Sequence, residues 1–316
     1  MSAQPEQNEP PELELLRMPV ATSSAAGRAI TEFAKYGSRN RLSTRWYGAI
    51  ADPSQPLLPP GPAWADDAWY RLRHDLACVS AARPEAIGSQ VTAALLRGWP
   101  IPRRLLCSEL TVTVPKKKLI RRAGVRIIRS DRYDPHSIYS VRLNRGDYVL
   151  YELARVLDIG ELIYVIDAIC GTWKTNPVTT VQRVRKATEA TRGIIGKQKL
   201  LAALGLARDR VGSPRETQLR LAIVRAGLPE PVVCTPIQLP RAAQLYHPDL
   251  AYRGARIAIE YEGAHHRTDD WQWNHDIERE RAFRTAGWEY FRVTNRTHMP
   301  DFLAELAAAL KERSGS

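Results

Sequence analysis

The chain has 316 residues, enough for two or three domains, and a formal net charge of +12 with a pI of about 9.7. Such a basic excess favours polyanionic partners. The four cysteines are scattered without a CxxC pair, which excludes a zinc ribbon or a disulfide framework and suits a reducing cytoplasm. We expect a cytoplasmic protein without a membrane partner, since neither a signal peptide nor an apolar run of about 18 residues is found.

The positive charge is unevenly distributed along the chain. Residues 214–316 contain 14 basic and 14 acidic residues, so the whole excess lies in residues 1–213. If the chain binds a nucleic acid, the N-terminal part is therefore expected to supply most of the electrostatic attraction.

The N-terminal residues predict a tail followed by a small helical segment. Residues 1–24, which begin with a stretch rich in Pro, Glu and Gln, are expected to form a disordered tail. Residues 25–47 contain a candidate helix and then the basic stretch Gly37–Arg45, which is compatible with a helix-turn-helix. A surface helix followed by a loop is the alternative. The Pro-rich loop Pro53–Pro62 separates this segment from the next.

One stretch of this N-terminal part carries a resemblance. Residues Ser89–Pro102 read Ser-Gln-Val-Thr-Ala-Ala-Leu-Leu-Arg-Gly-Trp-Pro-Ile-Pro. They resemble the second part of abortive-infection antitoxin-like proteins, which combine a winged helix-turn-helix with a small α/β domain. The resemblance implies an α+β region over residues 25–204 that includes a winged helix and binds DNA.

A basic segment lies between two predicted strands, Leu110–Val114 and Val125–Arg129. Residues 97–132 contain 11 basic and two acidic residues. A run of charge is usually a solvated loop, but this excess favours a surface that contacts phosphate. The candidate contacts are Lys116, Lys117, Lys118, Arg121 and Arg122.

Helices are predicted on both sides of a short linker. Tyr148–Cys170 has the apolar spacing of two core helices, and Gln182–Arg210 is expected to form one basic helix. Residues 205–213 are the predicted linker. Pro214–Ala226 then has the apolar spacing of a helix that ends at Gly227.

The last hundred residues alternate predicted strands and helices. Val232–Leu239 is expected to be a strand, and Asp269–Ala286 a charged amphipathic helix. Trp288–Thr294 is a further strand, and Pro300–Lys311 a closing helix. This alternation predicts an α/β domain.

A β-hairpin is predicted within residues 246–267, where both halves alternate apolar and polar residues. One face of its second strand is expected to point into the core and carries Ile257, Ile259 and Tyr261. Glu260 and Glu262, two residues apart, share the other face.

The turn of this hairpin decides which acids are neighbours. We expect the turn at Arg253–Ala255, with Gly254 supplying the unusual φ of a tight turn. With Gly254 and Ala255 in the turn, Asp249 lies directly opposite Glu260. A turn one residue earlier would make the two acids diagonal neighbours.

Three carboxylates on one patch of sheet repel each other, and a cation between them is a usual compensation. Mg²⁺ is held by one or two carboxylates together with water and substrate phosphate. This arrangement is typical of metal-assisted phosphodiester hydrolysis. The alternative is an ordinary solvated face, because strands often carry acids on the side that faces water.

Several motifs of residues 214–316 occur in the order of a known nuclease family. They are the helix Pro214–Leu221, the break Ala226–Pro229, Pro248-Asp249, Glu260-Tyr-Glu-Gly263 with His266, Asp276 with Arg279, and Gly287–Val293. This region resembles the PD-(D/E)XK nucleases, and more narrowly the uncharacterised branch related to very-short-patch-repair endonucleases. The resemblance implies a restriction-endonuclease-like mixed sheet flanked by helices.

The resemblance makes Asp249 and Glu260 ligands of Mg²⁺ or Mn²⁺. At the position of Glu262 many members have a lysine that helps to position and activate water. A carboxylate cannot supply that positive charge. Glu262 is therefore either a further metal ligand or a change that leaves the site weak or inactive.

Three more residues are candidates for catalysis or phosphate binding. Glu216 corresponds to an acid on the helix before the sheet, although Ser213–Glu216 is also a capping box with proline at the first helical position. His266 could accept a proton from water or stabilise charge on the phosphate. Arg279 could pair with Asp276, one turn away, or contact phosphate at the border of the active site.

These patterns favour a Mg²⁺-dependent DNA endonuclease or nickase whose N-terminal part binds the DNA. One alternative is a non-catalytic DNA-binding regulator or toxin–antitoxin component that uses the nuclease-like domain as a scaffold. Another is an enzyme that acts on RNA, since metal and carboxylates do not distinguish the two sugars.

Overall fold

The computed structural model describes residues 19–21, 49–51, 58–106, 109–117, 124–240, 245–262 and 270–314. The chain divides into two compact units. One unit runs to Glu161 and includes Thr191–Leu200, and the other comprises Leu162–Ala190 and the chain from Leu201 onward. Within the described ranges, no helix is both long and apolar enough to cross a membrane.

The first unit is built around a mixed sheet. Its elements are β1 (Pro19–Ala21), β2 (Ala49–Ala51), α1 (Asp67–Ala82), β3 (Ile87–Gly88), α2 (Gln90–Leu96), β4 (Leu110–Pro115), β5 (Val125–Ser130), β6 (Pro135–Ile138), β7 (Val141–Asn144) and α3 (Gly146–Leu153). The order of the five-stranded sheet is β5-β4-β3-β7-β6, and β1 pairs with β2 separately. The two strands predicted beside the basic segment are confirmed as β4 and β5. The candidate helix-turn-helix of residues 25–47 lies outside the described residues.

The second unit contains most of the remaining elements. They are α4 (Ile159–Cys170), α5 (Val181–Ala190), α6 (Lys197–Leu206), α7 (Pro214–Arg225), β8 (Val232–Val233), β9 (Ile237–Gln238), β10 (Leu245–Tyr246), β11 (Leu250–Tyr252), β12 (Ile257–Glu262), α8 (Asp270–Thr285), β13 (Glu289–Thr294) and α9 (Met299–Ser314). The helices α4 and α6 begin among residues of the first unit. Two core helices within 148–170 are confirmed as α3 and α4.

The four-stranded sheet of the second unit has helices on both faces. Its order is β13-β12-β11-β8, with β12 parallel to β13 and antiparallel to β11. Ile257 and Ile259 lie in one core cluster with residues of α7 and α9. Ala258 points to the opposite face and packs in a second cluster with Phe283 of α8. Helices on both sides of a mixed sheet confirm the α/β fold class.

Two predicted elements are interrupted in the structure. Val232–Leu239 is not one strand, because Cys234 has a φ of 43° and Pro236 has no N–H to donate, so β8 and β9 belong to different sheets. The predicted basic helix Gln182–Arg210 is also wrong. It forms α5 and α6, which are separated where Gly193 and Gly196 have positive φ angles of 68° and 83°.

A buried ion pair connects α4 to α7. The side chains of Asp167 and Arg220 are each 1% exposed, and Arg220 donates to Asp167 at 3.0 Å. Asp167 also accepts from the Thr217 hydroxyl and the backbone N–H of Arg208, each at 2.8 Å. Arg220 donates to Glu230 at 2.8 Å. Because separating a buried ion pair leaves an uncompensated charge in the interior, this network resists displacement of α7 from α4.

Replacing Arg220 with methionine should destabilise the second unit by about 3–5 kcal/mol, because Asp167 would remain as an unpaired buried charge. Native-state hydrogen exchange of amides in α7 and β12 measures this loss. The exposed Arg225 on the same helix is the matched control, and Arg225→Met should change stability by about 0.5 kcal/mol or less. Equal effects of the two substitutions would contradict the role given to the ion pair.

Candidate active site on the C-terminal sheet

The hairpin of β11 and β12 has the predicted register. Leu250 pairs with Ile259 and Tyr252 with Ile257, so continuing the register places Asp249 opposite Glu260. Pairs that face each other across antiparallel strands lie on one face, with Cβ atoms about 4.5–5.5 Å apart. The two acids are therefore neighbours on the face that α8 covers.

The turn itself differs from the prediction in one respect. The backbone N–H of Arg256 donates to the carbonyl of Arg253 at 3.3 Å, which leaves Gly254 and Ala255 at the centre of the turn. The positive φ lies at Arg256, with a value of 52°, and not at Gly254. A four-residue hairpin loop built around a type I turn does not require a positive φ at its second residue.

Asp249 is held in place by the backbone of the neighbouring strand. Its Oδ2 accepts a hydrogen bond from the N–H of Tyr261 at 2.7 Å. Burial raises the pKa of the Asp249 carboxyl, although this hydrogen bond and the charge of Arg279 both act to lower it. The site therefore holds an incompletely compensated acid, which a cation would stabilise.

Glu216 lies in the first turn of α7, which Ser213 caps, and its charge interacts with that of Asp249. Ser213 Oγ accepts from the backbone N–H of Glu216 at 3.2 Å, and the Glu216 carboxylate accepts from the N–H of Gly212 at 2.8 Å. Burial raises the pKa of Glu216 to about 7, and the negative charge of Asp249 contributes to this rise. The position of Glu216 is thus set by the capped start of α7, and its carboxylate interacts electrostatically with the site.

Glu260 is paired with an arginine of α8. Arg279 forms an ion pair with Glu260, and the two side chains are 25% and 17% exposed. Arg279 also donates to the carbonyl of His247 at 2.8 Å. The side chain of Asp276 lies outside the described residues, so its predicted pairing with Arg279 stays a prediction.

Glu262 belongs to a second set of ion pairs that the sequence did not reveal. Arg292 of β13 contacts Glu262 at 2.7 Å and Glu280 at 3.2 Å, and Glu280 also pairs with Arg284 at 2.9 Å. In the parallel register of β12 with β13, Arg292 stands beside Glu260. The sequence did contain one indication of this contact: the period-two alternation of β13 places Arg292 on the same face as Tyr290.

The donor set fits a hard divalent cation. Asp249 and Glu260 face each other, and Mg²⁺ needs only one or two carboxylates when water and phosphate complete its coordination. Glu262 is turned towards Arg292. Across the described ranges, no group of three or more His, Cys, Asp or Glu side chains has the spacing of a metal site. His266 lies in residues 263–269, outside the described residues.

The basic segment of the first unit is described only at its start. Lys116 and Lys117 are exposed, and Lys116 pairs with Asp131 at 2.7 Å. Lys118, Arg121 and Arg122 lie outside the described residues. An exposed ion pair of this kind is worth about 0–1 kcal/mol, so Lys116 can exchange Asp131 for another anion at little cost.

Other basic residues of the segment 97–132 have structural partners. Arg97 donates to the carbonyl of Asn144 at 2.7 Å, and Arg104 pairs with Glu161. The count of positive charge over 97–132 therefore overstates the number of cations free to bind a phosphate backbone.

No protein-family model, curated protein or solved structure matches this chain. Its chemistry must be inferred from its own residues. The contacts of Asp249, Glu260 and Glu216 are the main basis for that inference.

Proposed function

We propose that this protein is a metal-dependent nuclease that cuts or nicks DNA at the site formed by Asp249, Glu260 and Glu216. The observation that carries the proposal is the placement of Asp249 opposite Glu260 on the face of the sheet covered by α8. The resemblance of residues 214–316 to PD-(D/E)XK nucleases supports the same chemistry.

Each residue of the site would have a separate role in hydrolysis. Asp249 and Glu260 would hold Mg²⁺ or Mn²⁺, which supplies charge neutralisation at the phosphate and acidifies a water molecule. Tyr261 positions the Asp249 carboxylate through its backbone N–H. Glu216, whose pKa lies near 7, is suited to exchange a proton with water near neutral pH.

Residues 1–213 would supply the attraction for the substrate. Residues 214–316 are electrically balanced, and the excess positive charge lies before them. Binding of the phosphate backbone by this region should weaken steeply as salt rises. Lys116 and Lys117 are exposed candidates for such contacts.

A non-catalytic DNA-binding scaffold is the second candidate function. The observation in its favour is that Glu260 and Glu262 are each paired with an arginine, which already compensates their charges. This candidate requires salt-sensitive binding of DNA without cleavage in any metal.

Purified protein should nick plasmid DNA in Mg²⁺ or Mn²⁺ and lose this activity in EDTA. Asp249→Asn and Glu260→Gln should each lower the rate about 100-fold or more, the effect of removing one group that stabilises transition-state charge. A parallel assay with RNA identifies the preferred nucleic acid.

The matched control for these variants is the exposed Glu305 on α9. Glu305→Gln removes the same charge and should leave nicking unchanged. Full activity in Asp249→Asn and Glu260→Gln would refute the proposed site. Binding of DNA without cleavage in every metal would establish the scaffold instead.

Stability without metal should fall as pH rises from about 5 to about 8. The pKa of Glu216 is raised from 4.5 to about 7 on folding, so the folded state binds more protons in this range than the unfolded state. This contribution is lost once pH exceeds the folded pKa. Melting temperatures measured in EDTA across this range test the slope.

Two comparisons isolate the acids of the site from other titrating groups. Glu216→Gln should flatten the pH dependence relative to the wild type. Adding Mg²⁺ should also flatten it, because a bound cation stabilises the ionised carboxylates. The prediction is wrong if the slope in EDTA is the same for the wild type and Glu216→Gln.

A further inference from the structure

The position of Arg279 gives it a role beyond contact with substrate. Its guanidinium forms an ion pair with Glu260, one of the two candidate metal ligands. It also contacts the carbonyl of His247, two residues before Asp249, the other candidate ligand. One guanidinium is therefore paired with a carboxylate that a metal ion would need.

The second contact of Arg279 would survive the loss of the first. The guanidinium donates to the carbonyl of His247, two residues before Asp249, at 2.8 Å. Its Nε is buried and has no hydrogen-bond partner among the described residues. A buried donor without a partner costs about 1–3 kcal/mol, so an acceptor that reached Nε would be bound favourably.

Arg292 is held differently, although it faces the same side of the sheet. It is paired with two carboxylates, Glu262 and Glu280, at 2.7 and 3.2 Å. Losing one of them would leave the other in place. Among the described residues, Arg279 forms its ion pair with Glu260, and a cation bound to Glu260 would take the place of that ion pair.

We propose that Arg279 is an internal counter-ion of the metal-free site, that a divalent metal ion displaces it from Glu260, and that the released guanidinium then binds a phosphate of the nucleic acid. This proposal rests on the proposed function, since it concerns the same carboxylates. The displacement makes metal binding and phosphate binding cooperative. A metal ion bound to Glu260 breaks the ion pair with Arg279, and the free guanidinium can then pair with a phosphate. The tether to His247 keeps the guanidinium beside Asp249 throughout.

The first test measures metal affinity without any reaction. Calorimetric titration of EDTA-treated protein with Mg²⁺ or Mn²⁺ should show about tenfold tighter binding by Arg279→Gln, because a charge-assisted contact no longer competes for Glu260. Arg279→Lys should bind metal with an affinity nearer to that of the wild type.

The control is Arg284, which lies on the same helix and pairs with Glu280. Arg284→Gln removes the same charge from α8 and should change metal affinity less than threefold, or about 0.6 kcal/mol. Weaker or unchanged metal binding in Arg279→Gln would overturn the counter-ion role. Absence of metal binding in the wild type and all variants would overturn it together with the proposed nuclease function.

The second test measures binding of DNA with Ca²⁺ as the added metal. Ca²⁺ should raise the affinity of the wild type for a short duplex, and Arg279→Gln should lose most of this rise although it binds metal more tightly. An equal rise in both proteins, or none in the wild type, would overturn the phosphate role. Tighter metal binding by Arg279→Gln without nicking by the wild type would refute the nuclease function and keep the counter-ion role.

Discussion

The register of β11 against β12 is the constraint on which the candidate site depends. Ile257 and Ile259 must face the cluster formed with α7 and α9, and a slip by one residue would turn them to the opposite face. This requirement fixes Glu260 on the other face, opposite Asp249. The juxtaposition of two acids is thus a consequence of packing the core, and it does not depend on any attraction between them.

Such a juxtaposition has an electrostatic cost that the second unit offsets in three ways. The N–H of Tyr261 donates to Asp249, Arg279 pairs with Glu260, and burial favours the protonated form of Glu216. Each of these interactions lowers the electrostatic cost of placing the acids close together.

The helix that carries Glu216 is anchored by residues from an earlier part of the chain. Asp167 on α4 accepts from Thr217 and Arg220 of α7, all in the second unit. The unit that bears the site therefore includes Leu162–Ala190 as well as the chain from Leu201 onward. A fragment that begins at Pro214 would lack Asp167 and leave Arg220 without its buried partner.

The sequence by itself determined the strands β12 and β13, the acids on one face and the capping of α7, because these follow from local periodicity and capping residues. It left two registers open for the hairpin, and the structure selected the one that places Asp249 opposite Glu260. Only the tertiary structure decided that Arg279 meets Glu260 and that Arg292 meets Glu262. The break between β8 and β9 had one local signal, Pro236, but neither the φ of 43° at Cys234 nor the pairing of β8 with β11 is a property of the local sequence. Which arginine reaches which acid depends on the parallel pairing of β12 with β13 and on the packing of α8, and contacts so distant along the chain have no local signature.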